Sequence, residues 1–355
     1  MRTSLHALLL LALAAPLAAQ TGERTFVIRL GRDTFGIERF TRGATTLEGD
    51  LLFRTPGSVP RHYVVTFDST GRMTGYQFGV RDSLRTVNVS DPRALPYLFL
   101  SAGVTEELTR HARATPQPVD TMTVVAPSGA VQQLIATDAG DSMAVVLEGD
   151  TAPFMLAVAR DGTVLGISGL RTTDKEVSEP APLDFPALAQ AFATRPLGAA
   201  SPADSVLAAV GGVAVRVDYS RPSLRGRTAV GGLLVPWNQV WRTGANAATR
   251  FTTSGDLVVG GHQLPAGTYT LFTLPSPAGW TLIISKETRA PGNPRRPLWG
   301  TDYNPDSDLV RLPMRVETLP DPVERFTIGV TPKASGGTLW LSWEKTRVSV
   351  LLAKR

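Results

Sequence analysis

Apolar and polar residues alternate in short runs along most of this chain, and that period of two is typical of half-buried β-strands. Between residues 25 and 85 the runs TFVIRL, GIERF, LEGDLLF, HYVVTF and GYQFGV are separated by turn residues. A second set, MTVVA, VQQLIA, MAVVLEG, FMLAVA and VLGIS, follows between residues 122 and 170. Together the two sets predict a curved antiparallel sheet in the N-terminal half.

Helical spacing is confined to two places. The first lies between the two sets of strands, where apolar residues recur at a spacing closer to 3.6 than to 2 and predict a helix over residues 94–112. The second is a short helix predicted over residues 186–193. The N-terminal domain is therefore expected to contain one or two helices beside its sheet.

A polar, proline-rich passage after Leu170 separates two patterns of sequence. Its change in composition predicts a domain boundary. We expect an N-terminal domain over residues 21–175, a linker with a short helix over residues 176–204, and a C-terminal domain over residues 205–355.

The C-terminal domain is predicted to be an antiparallel β-sandwich or jelly roll. Val213, Val215 and Val217 alternate with polar or small residues, as in a strand with one buried face. Similar alternation recurs in TRFTT, GTYTLFTL, WTLIIS, ERFTIGV, TLWLSW and RVSVLL. Seven or more short strands without a long helix indicate this architecture, so the whole protein is expected to be mainly β.

The first 20 residues have the pattern of a secretory signal peptide. Arg2 precedes a Leu- and Ala-rich run that ends in the small residues Ala18 and Ala19. That run is too short for a transmembrane helix, and no later segment is long enough. The chain contains no cysteine, which excludes disulfides and thiolate metal sites. We expect an exported protein, periplasmic or extracellular, without a transmembrane segment.

The net charge of +5 raises the question of nucleic-acid binding. Lys and Arg outnumber Asp and Glu only beyond residue 200, and no run of basic residues is interleaved with stacking aromatics. We therefore expect no nucleic-acid partner.

Few patterns of catalytic or metal-binding residues occur. After the signal peptide only His62, His111 and His262 remain, in separate segments, and each is expected to be an ordinary surface residue rather than a ligand. No glycine-rich phosphate loop or nucleophile elbow is present, so neither a cofactor nor catalytic residues are predicted. The one weak alternative is a calcium loop, formed by Asp302, Asn304, Asp306 and Asp308.

Longer motifs follow one another in the C-terminal part: VRVDYSRPSLRGR, VPWNQVWRTGANAATRFTTS, LPAGTYTLFTLP, LWGTDY and LSWEKTRVSV. In these motifs residues 201–352 resemble a bacterial family catalogued as domain of unknown function 2911. The resemblance implies a fold and boundaries for the C-terminal domain, but no activity. The N-terminal domain resembles no family that we identify.

Arginines and aromatic residues within these motifs are the candidate ligand-binding residues. Arginine forks beside planar aromatics are suited to carboxylates, phosphates and sugar rings. The candidates are Arg225, Arg227, Trp241, Arg242, Asn246, Trp299, Tyr303, Lys345 and Arg347. Arg225, Arg242 and Arg347 are expected to converge at one edge of the domain, near Trp299 and Tyr303.

A structural alternative has ion pairs locking loops over a core that contains Trp237, Trp241 and Trp343. Its expected partners are Arg225, Arg227 and Arg347 with Asp218, Glu324 and Glu344.

Three functions remain open. The first is a non-catalytic module that binds an anionic or carbohydrate-like ligand or a partner surface. The second is a hydrolase of envelope glycans or phosphorylated sugars, with Asp302 and Glu344 as acid and base. The third is a carrier of apolar molecules within the N-terminal sheet. An unpaired carboxyl group in an Arg- and Trp-lined cleft would favour the hydrolase, and an open apolar concave face would favour the carrier.

Overall fold

The computed structural model describes residues 22–150 and 152–355. The predicted signal peptide lies outside the described residues. Within them, the prediction of a mainly β protein, with one or two helices beside an N-terminal antiparallel sheet and an antiparallel C-terminal domain, is confirmed: both parts form large antiparallel sheets, and two helices are present. None of the described helices combines the length and apolar character needed to cross a membrane.

The N-terminal sheet has 13 strands in the order β6-β5-β4-β3-β2-β1-β13-β12-β11-β10-β9-β8-β7. The strands are β1 (Arg24–Leu30), β2 (Asp33–Arg42), β3 (Thr46–Phe53), β4 (Arg61–Phe67), β5 (Met73–Val80), β6 (Ser83–Thr86), β7 (Leu95–Pro96), β8 (Val119–Val125), β9 (Val131–Asp138), β10 (Ser142–Leu147), β11 (Phe154–Val158), β12 (Val164–Ser168) and β13 (Glu176–Pro180). Two meanders therefore meet where β1 pairs with β13. Among the described strands of this sheet, only β7 and β8 pair in parallel.

Helix α1 (Ala102–Ala114) begins eight residues later than the helix predicted over residues 94–112. Pro96 has no N–H to continue a helix, and Leu100 adopts a left-handed φ of 58°. Ser101 then caps the helix by accepting a hydrogen bond from the Val104 N–H. The apolar residues before Ser101 pack against the core without being helical.

Each face of the N-terminal sheet packs against a different helix. Phe26, Phe40 and Tyr63 face α1 in the main core. Ile37 and Leu52 point to the other side, where they contact α2 (Phe185–Thr194), the helix predicted over residues 186–193. This alternation along β2 and β3 is the period of two that the sequence displays.

His62 is not the surface residue that the sequence predicted. It is buried in β4, and its Nδ1 lies 2.9 Å from Asp50 Oδ1. Asp50 also accepts hydrogen bonds from Arg39 and Arg81. These contacts satisfy the polar group of the histidine inside the protein, which makes its burial possible.

The C-terminal sheet has nine strands in the order β14-β15-β16-β19-β20-β23-β24-β17-β18. The strands are β14 (Ala203–Val210), β15 (Val213–Ser220), β16 (Thr249–Thr253), β17 (Leu257–Val259), β18 (His262–Leu264), β19 (Gly267–Ser276), β20 (Gly279–Ser285), β23 (Asp308–Lys333) and β24 (Gly336–Lys354). A separate hairpin contains β21 (Arg289–Ala290) and β22 (Asn293–Pro297).

The long strands β23 and β24 allow the C-terminal sheet to fold over its own core. Their pairing shifts register between Thr318 and Thr327, and β14 contacts both strands across the sheet. Bulges of this kind bend a strand and increase its twist. The enclosed core includes Trp241 and Trp343, as predicted, whereas Trp237 is only partly buried against it.

Direct contacts join the N-terminal and C-terminal parts. Arg225 forms a salt bridge with Asp33, with an Nη1 to Oδ2 distance of 2.5 Å, and its carbonyl accepts a hydrogen bond from the Arg32 N–H. Gly31 lies at a φ of 62°, and a Cβ there would come within 2.4 Å of the Arg225 carbonyl oxygen. Only glycine fits this approach. Independent folding of the two predicted domains remains a prediction.

Candidate functional site

A cleft lies between the segment that precedes β13 and the loops that join β15 to β16. It consists of two adjoining cavities of about 170 Å³ and about 280 Å³. Lys175, Trp241 and Arg242 line both cavities, and Glu176, Arg227 and Asn246 line the smaller one. We call this feature the central cleft.

Local hydrogen bonds and an unusual backbone conformation position the N-terminal wall of the central cleft. Thr172 Oγ1 donates to the Gly169 carbonyl and accepts from the Asp174 N–H. Lys175 then adopts a left-handed φ of 67°, and its Nζ donates to the Leu170 carbonyl at 2.9 Å. This turn places Lys175 and Glu176 in succession on the wall.

The opposite wall is held by an aromatic platform. Trp241 exchanges two backbone hydrogen bonds with Thr273, at 2.7 and 2.9 Å. Its ring stacks on Trp343, with 5.8 Å between centroids, and meets Phe326 edge to face. Because Trp241 is buried and fixed on two sides, the neighbouring Arg242 extends from a rigid base.

Strained backbone conformations surround the same wall. Thr243 has a φ of 53°, which is unfavourable for a β-branched residue, and Asn246 has a φ of 59°. The Thr249 hydroxyl donates to the Thr243 carbonyl at 2.7 Å and holds the turn. Strain of this kind persists where the surrounding structure enforces it, and it is frequent at binding and catalytic sites.

Glu176 is a buried carboxyl group without a partner at one oxygen. The residue is 7% exposed, and its Oε2 accepts no hydrogen bond within the described part of the chain. Burial, together with the negative charge of Asp174, raises the pKa of Glu176 to about 8, against the opposing effects of its own backbone N–H and Arg227. Glu176 is therefore mainly protonated and neutral at pH 7.

Three cations face this neutral carboxyl group. Burial lowers the pKa of Arg242, of Arg227 and of Lys175. Repulsion from Arg225 adds to the shift at Arg227, repulsion from Arg242 and Arg227 adds to the shift at Lys175, and the charge of Asp174 opposes the shifts at Arg242 and Lys175. The Arg227 guanidinium donates to the carbonyls of Leu224 and Ser223, both at 2.9 Å, rather than to a carboxylate. Within the described residues, 22–150 and 152–355, neither Lys175 nor Arg227 nor Arg242 forms a salt bridge.

The structure thus brings five of the residues proposed from the sequence to the central cleft: Arg227, Trp241, Arg242 and Asn246 line its smaller cavity, and Tyr303 lines the larger one. Its hydroxyl donates to Asp308 Oδ2 at 2.7 Å and accepts from Arg311. Trp299 is 41% exposed and lies beside this loop, where it forms an isolated bridge with Ala247.

The remaining candidates lie elsewhere. Arg225 is held by Asp33, as described above. The Arg347 guanidinium lies 4.8 Å from the centre of the Trp340 ring, and its Nε donates to Ser342 Oγ. Lys345 is exposed on β24. Of the three arginines expected to converge, only Arg242 lines the central cleft.

The ion pairs expected for a structural lock are not the ones observed. Glu344 accepts hydrogen bonds from the backbone N–H groups of Ala229 and Val230, at 3.0 and 3.1 Å. Asp218 pairs with Arg216. Glu324 accepts from the backbone N–H of Arg225 rather than from its guanidinium. Two of the three expected carboxylates, Glu324 and Glu344, therefore accept from backbone N–H groups, whereas Asp218 pairs with an arginine that the sequence did not suggest.

The same contacts bear on the acid and base pair that the sequence suggested. Glu344 braces a loop through both of its backbone partners. Oδ2 of Asp302 lies 3.9 Å from Nη2 of Arg296, and Asp302 does not line the central cleft. An unpaired carboxyl in an Arg- and Trp-lined cleft does exist, but it is Glu176.

Sequence reasoning missed the three residues Asp174, Lys175 and Glu176. They lie in the polar, proline-rich passage at the predicted domain boundary, with Asp174 and Lys175 at the end of the predicted N-terminal domain and Glu176 at the start of the predicted linker. Three successive charged residues of alternating sign are typical of a solvated loop, and no local pattern indicates that Glu176 is buried. In β13 the polar residues Glu176 and Ser178 are buried and the apolar Val177 is partly exposed, which is the reverse of what their alternation predicts.

Three residues of the suggested calcium loop, Asp302, Asn304 and Asp308, have other side-chain partners. Asn304 accepts a hydrogen bond from the Asp306 N–H and caps the short 3-10 turn Pro305–Ser307. Asp308 binds Tyr303 and Arg311. In the described part of the chain, no group of three or more His, Asp or Glu side chains is arranged to hold a metal ion.

Fold and site together define a mainly β protein with a cationic cleft between its N-terminal and C-terminal parts. Residues 201–352 match the family model described as protein of unknown function (DUF2911), which confirms the resemblance of the C-terminal domain. The matched range contains Arg227, Trp241, Arg242 and Asn246, but not Lys175 or Glu176. No curated protein matches the chain.

Proposed function

We propose that this protein binds a small anionic ligand in the central cleft, as an exported protein of the periplasm or the extracellular space. One observation carries the proposal. Lys175, Arg227 and Arg242 line the cleft, and in the described structure none of them has a carboxylate within salt-bridge distance, so that Asp174 is one nearby negative charge against three buried cations whose pKa burial lowers. Buried cations are normally paired, so an anionic ligand would supply the missing charge.

The chemistry of the walls favours a carboxylate or phosphate group. A guanidinium fork matches the oxygens of either group, and Arg242 lies on the rigid Trp241 platform, which limits the entropy lost on binding. Neutral Glu176 can donate a hydrogen bond from its carboxyl group to the same ligand. Asn246 adds an amide at the edge of the cleft.

We expect that Arg242→Gln weakens ligand binding while leaving the fold intact. Inorganic phosphate, sulfate and citrate should raise the melting temperature of the mature protein, because a ligand that binds only the native state stabilises it. Arg242→Gln should weaken anion binding by about tenfold or more, the value of one charge-assisted hydrogen bond. The free variant should lose less than about 1 kcal/mol, because no carboxylate is left unpaired.

Arg289→Gln is the matched control, since Arg289 is exposed on β21 and lies outside the cleft. It should respond to anions as the unchanged protein does. The proposal fails if none of the three anions shifts the melting temperature, or if Arg242→Gln is strongly destabilised and still responds fully.

Glu176 supports a second candidate, hydrolysis of a glycan or phosphorylated sugar. A carboxyl group with a pKa of about 8 is protonated at neutral pH and can act as a general acid toward a leaving oxygen. The two functions separate in Glu176→Gln. A hydrolase would lose turnover in this variant and still bind, whereas a binding module would show no turnover in either form.

A further inference from the structure

A second cavity, of about 420 Å³, lies in the N-terminal sheet and shares no residue with the central cleft. Its walls come from β2, β3 and β5 and from the segment that precedes α1. The side chains that form most of the surface are Phe35, Leu51, Phe53, Phe78, Leu98 and Phe99. The volume falls within the range of ordinary small-molecule sites.

The cavity opens to solvent past large apolar side chains. Phe99 is 37% exposed and Val59 is 45% exposed, although both are well suited to burial. The rings of Phe35 and Phe53 lie 5.3 Å apart and leave the space beside them unfilled. Apolar surface of this kind gains free energy when a ligand displaces water from it.

The polar groups of the lining are confined to one segment, between β3 and the first residue of β4. Thr55 and Ser58 share a hydrogen bond between their hydroxyl groups, and Arg61 follows two residues after Val59. Arg61 is exposed, and among the described residues no carboxylate lies within salt-bridge distance of it. One end of the cavity therefore carries a free positive charge beside hydroxyl groups.

We propose that this cavity binds a single-chain amphiphile with an anionic headgroup, such as a fatty acid. The acyl chain lies between the aromatic walls, and Arg61 binds the headgroup at the solvent end. The lining is divided in two: the charge and the hydroxyl groups lie on one segment, and the other lining groups are apolar. An amphiphile matches both parts, whereas a purely apolar or purely anionic ligand matches only one. The site is independent of the central cleft and of its ligand.

Dodecanoate is the probe for this proposal, measured by calorimetry on the mature protein below the micelle concentration. We expect saturable binding of one dodecanoate per chain, and weaker binding of dodecanol and dodecyltrimethylammonium. Arg61→Gln should weaken dodecanoate binding by about tenfold, as for one charge-assisted contact, and should remove the preference for dodecanoate over dodecanol.

Val59→Trp fills the mouth of the cavity from an exposed position and should abolish binding of all three probes. Ser58→Trp serves the same purpose if that variant does not fold, as judged by circular dichroism. Arg72→Gln, in the turn between β4 and β5, is the control and should bind normally. The proposal is overturned if dodecanoate does not bind saturably, if filling the mouth changes nothing, or if Arg61→Gln retains full affinity.

Discussion

Replacing Glu176 with glutamine is expected to stabilise the protein by about 3 kcal/mol at pH 8.5 and to leave its stability almost unchanged at pH 5. The physical cause is the burial that raises the pKa of Glu176 from 4.5 to about 8. At each pH between these values, the folded protein holds a proton that the unfolded chain releases. Rising pH therefore favours the unfolded state across this window.

The direction of this pH dependence of stability follows from the raised pKa of Glu176. The stability that the protonated group contributes is fully present below pH 4.5 and is lost as the pH rises through about 8. The full shift corresponds to about 5 kcal/mol at 1.36 kcal/mol per pKa unit, and water entering the cleft reduces this amount. Glutamine keeps the shape of the neutral carboxyl group and has no proton to release.

Urea unfolding at pH 5, 6.5 and 8.5 measures this difference. Glu179→Gln is the control on the same strand, because Glu179 is about half exposed and its ion pair with Arg29 lies at the surface. It should change stability by less than about 1 kcal/mol at each pH. Equal pH dependence in the Glu176→Gln variant and the unchanged protein would show that Glu176 titrates normally.

The same titration links stability to the proposed ligand. Ionised Glu176 adds a negative charge beside Arg227, so anion affinity should fall as the pH rises through about 8. In Glu176→Gln the affinity should stay level over this range. A ligand bound elsewhere would show no such difference between the two proteins.

The second large effect is expected from Glu38→Ala, which should lower the free energy of unfolding by about 3 to 5 kcal/mol. Glu38 is fully buried in β2, and burial raises its pKa. Its carboxyl group accepts hydrogen bonds from the Tyr63 hydroxyl at 2.7 Å, from the Ala102 N–H at 2.6 Å, and from the Ser101 hydroxyl. One side chain thus joins two strands to the start of α1.

Alanine at position 38 leaves these donors buried without an acceptor and creates a cavity beside the Tyr63 ring. Glu48→Ala, at an exposed position of β3, is the control and should remain within about 0.5 kcal/mol of the unchanged protein. Chemical denaturation of the three proteins gives the comparison. A Glu38→Ala variant that unfolds within 1 kcal/mol of the unchanged protein would contradict this role for the carboxyl group.

The sequence by itself determined the strands, because burial on one face of a sheet leaves a period of two that can be read directly. Val213, Val215 and Val217 are buried in β15, as their alternation predicted. The motifs around Arg227 and Arg242 identified the C-terminal family and half of the central cleft.

The other half of the central cleft, which contains Glu176, was decided only by the tertiary structure. Glu176 and Arg242 are far apart in the sequence, and no local pattern relates them. The raised pKa of Glu176 depends on the removal of water by both parts of the chain, so it exists only once they are in contact. The start of α1 and the burial of His62 have the same origin, since Ser101, Glu38 and Asp50 meet their partners across strands rather than along the chain. The periodicity of a strand shows which of its faces is buried. The protonation state and hydrogen bonds of a side chain depend instead on residues that are distant in the sequence and contact it only in the folded protein.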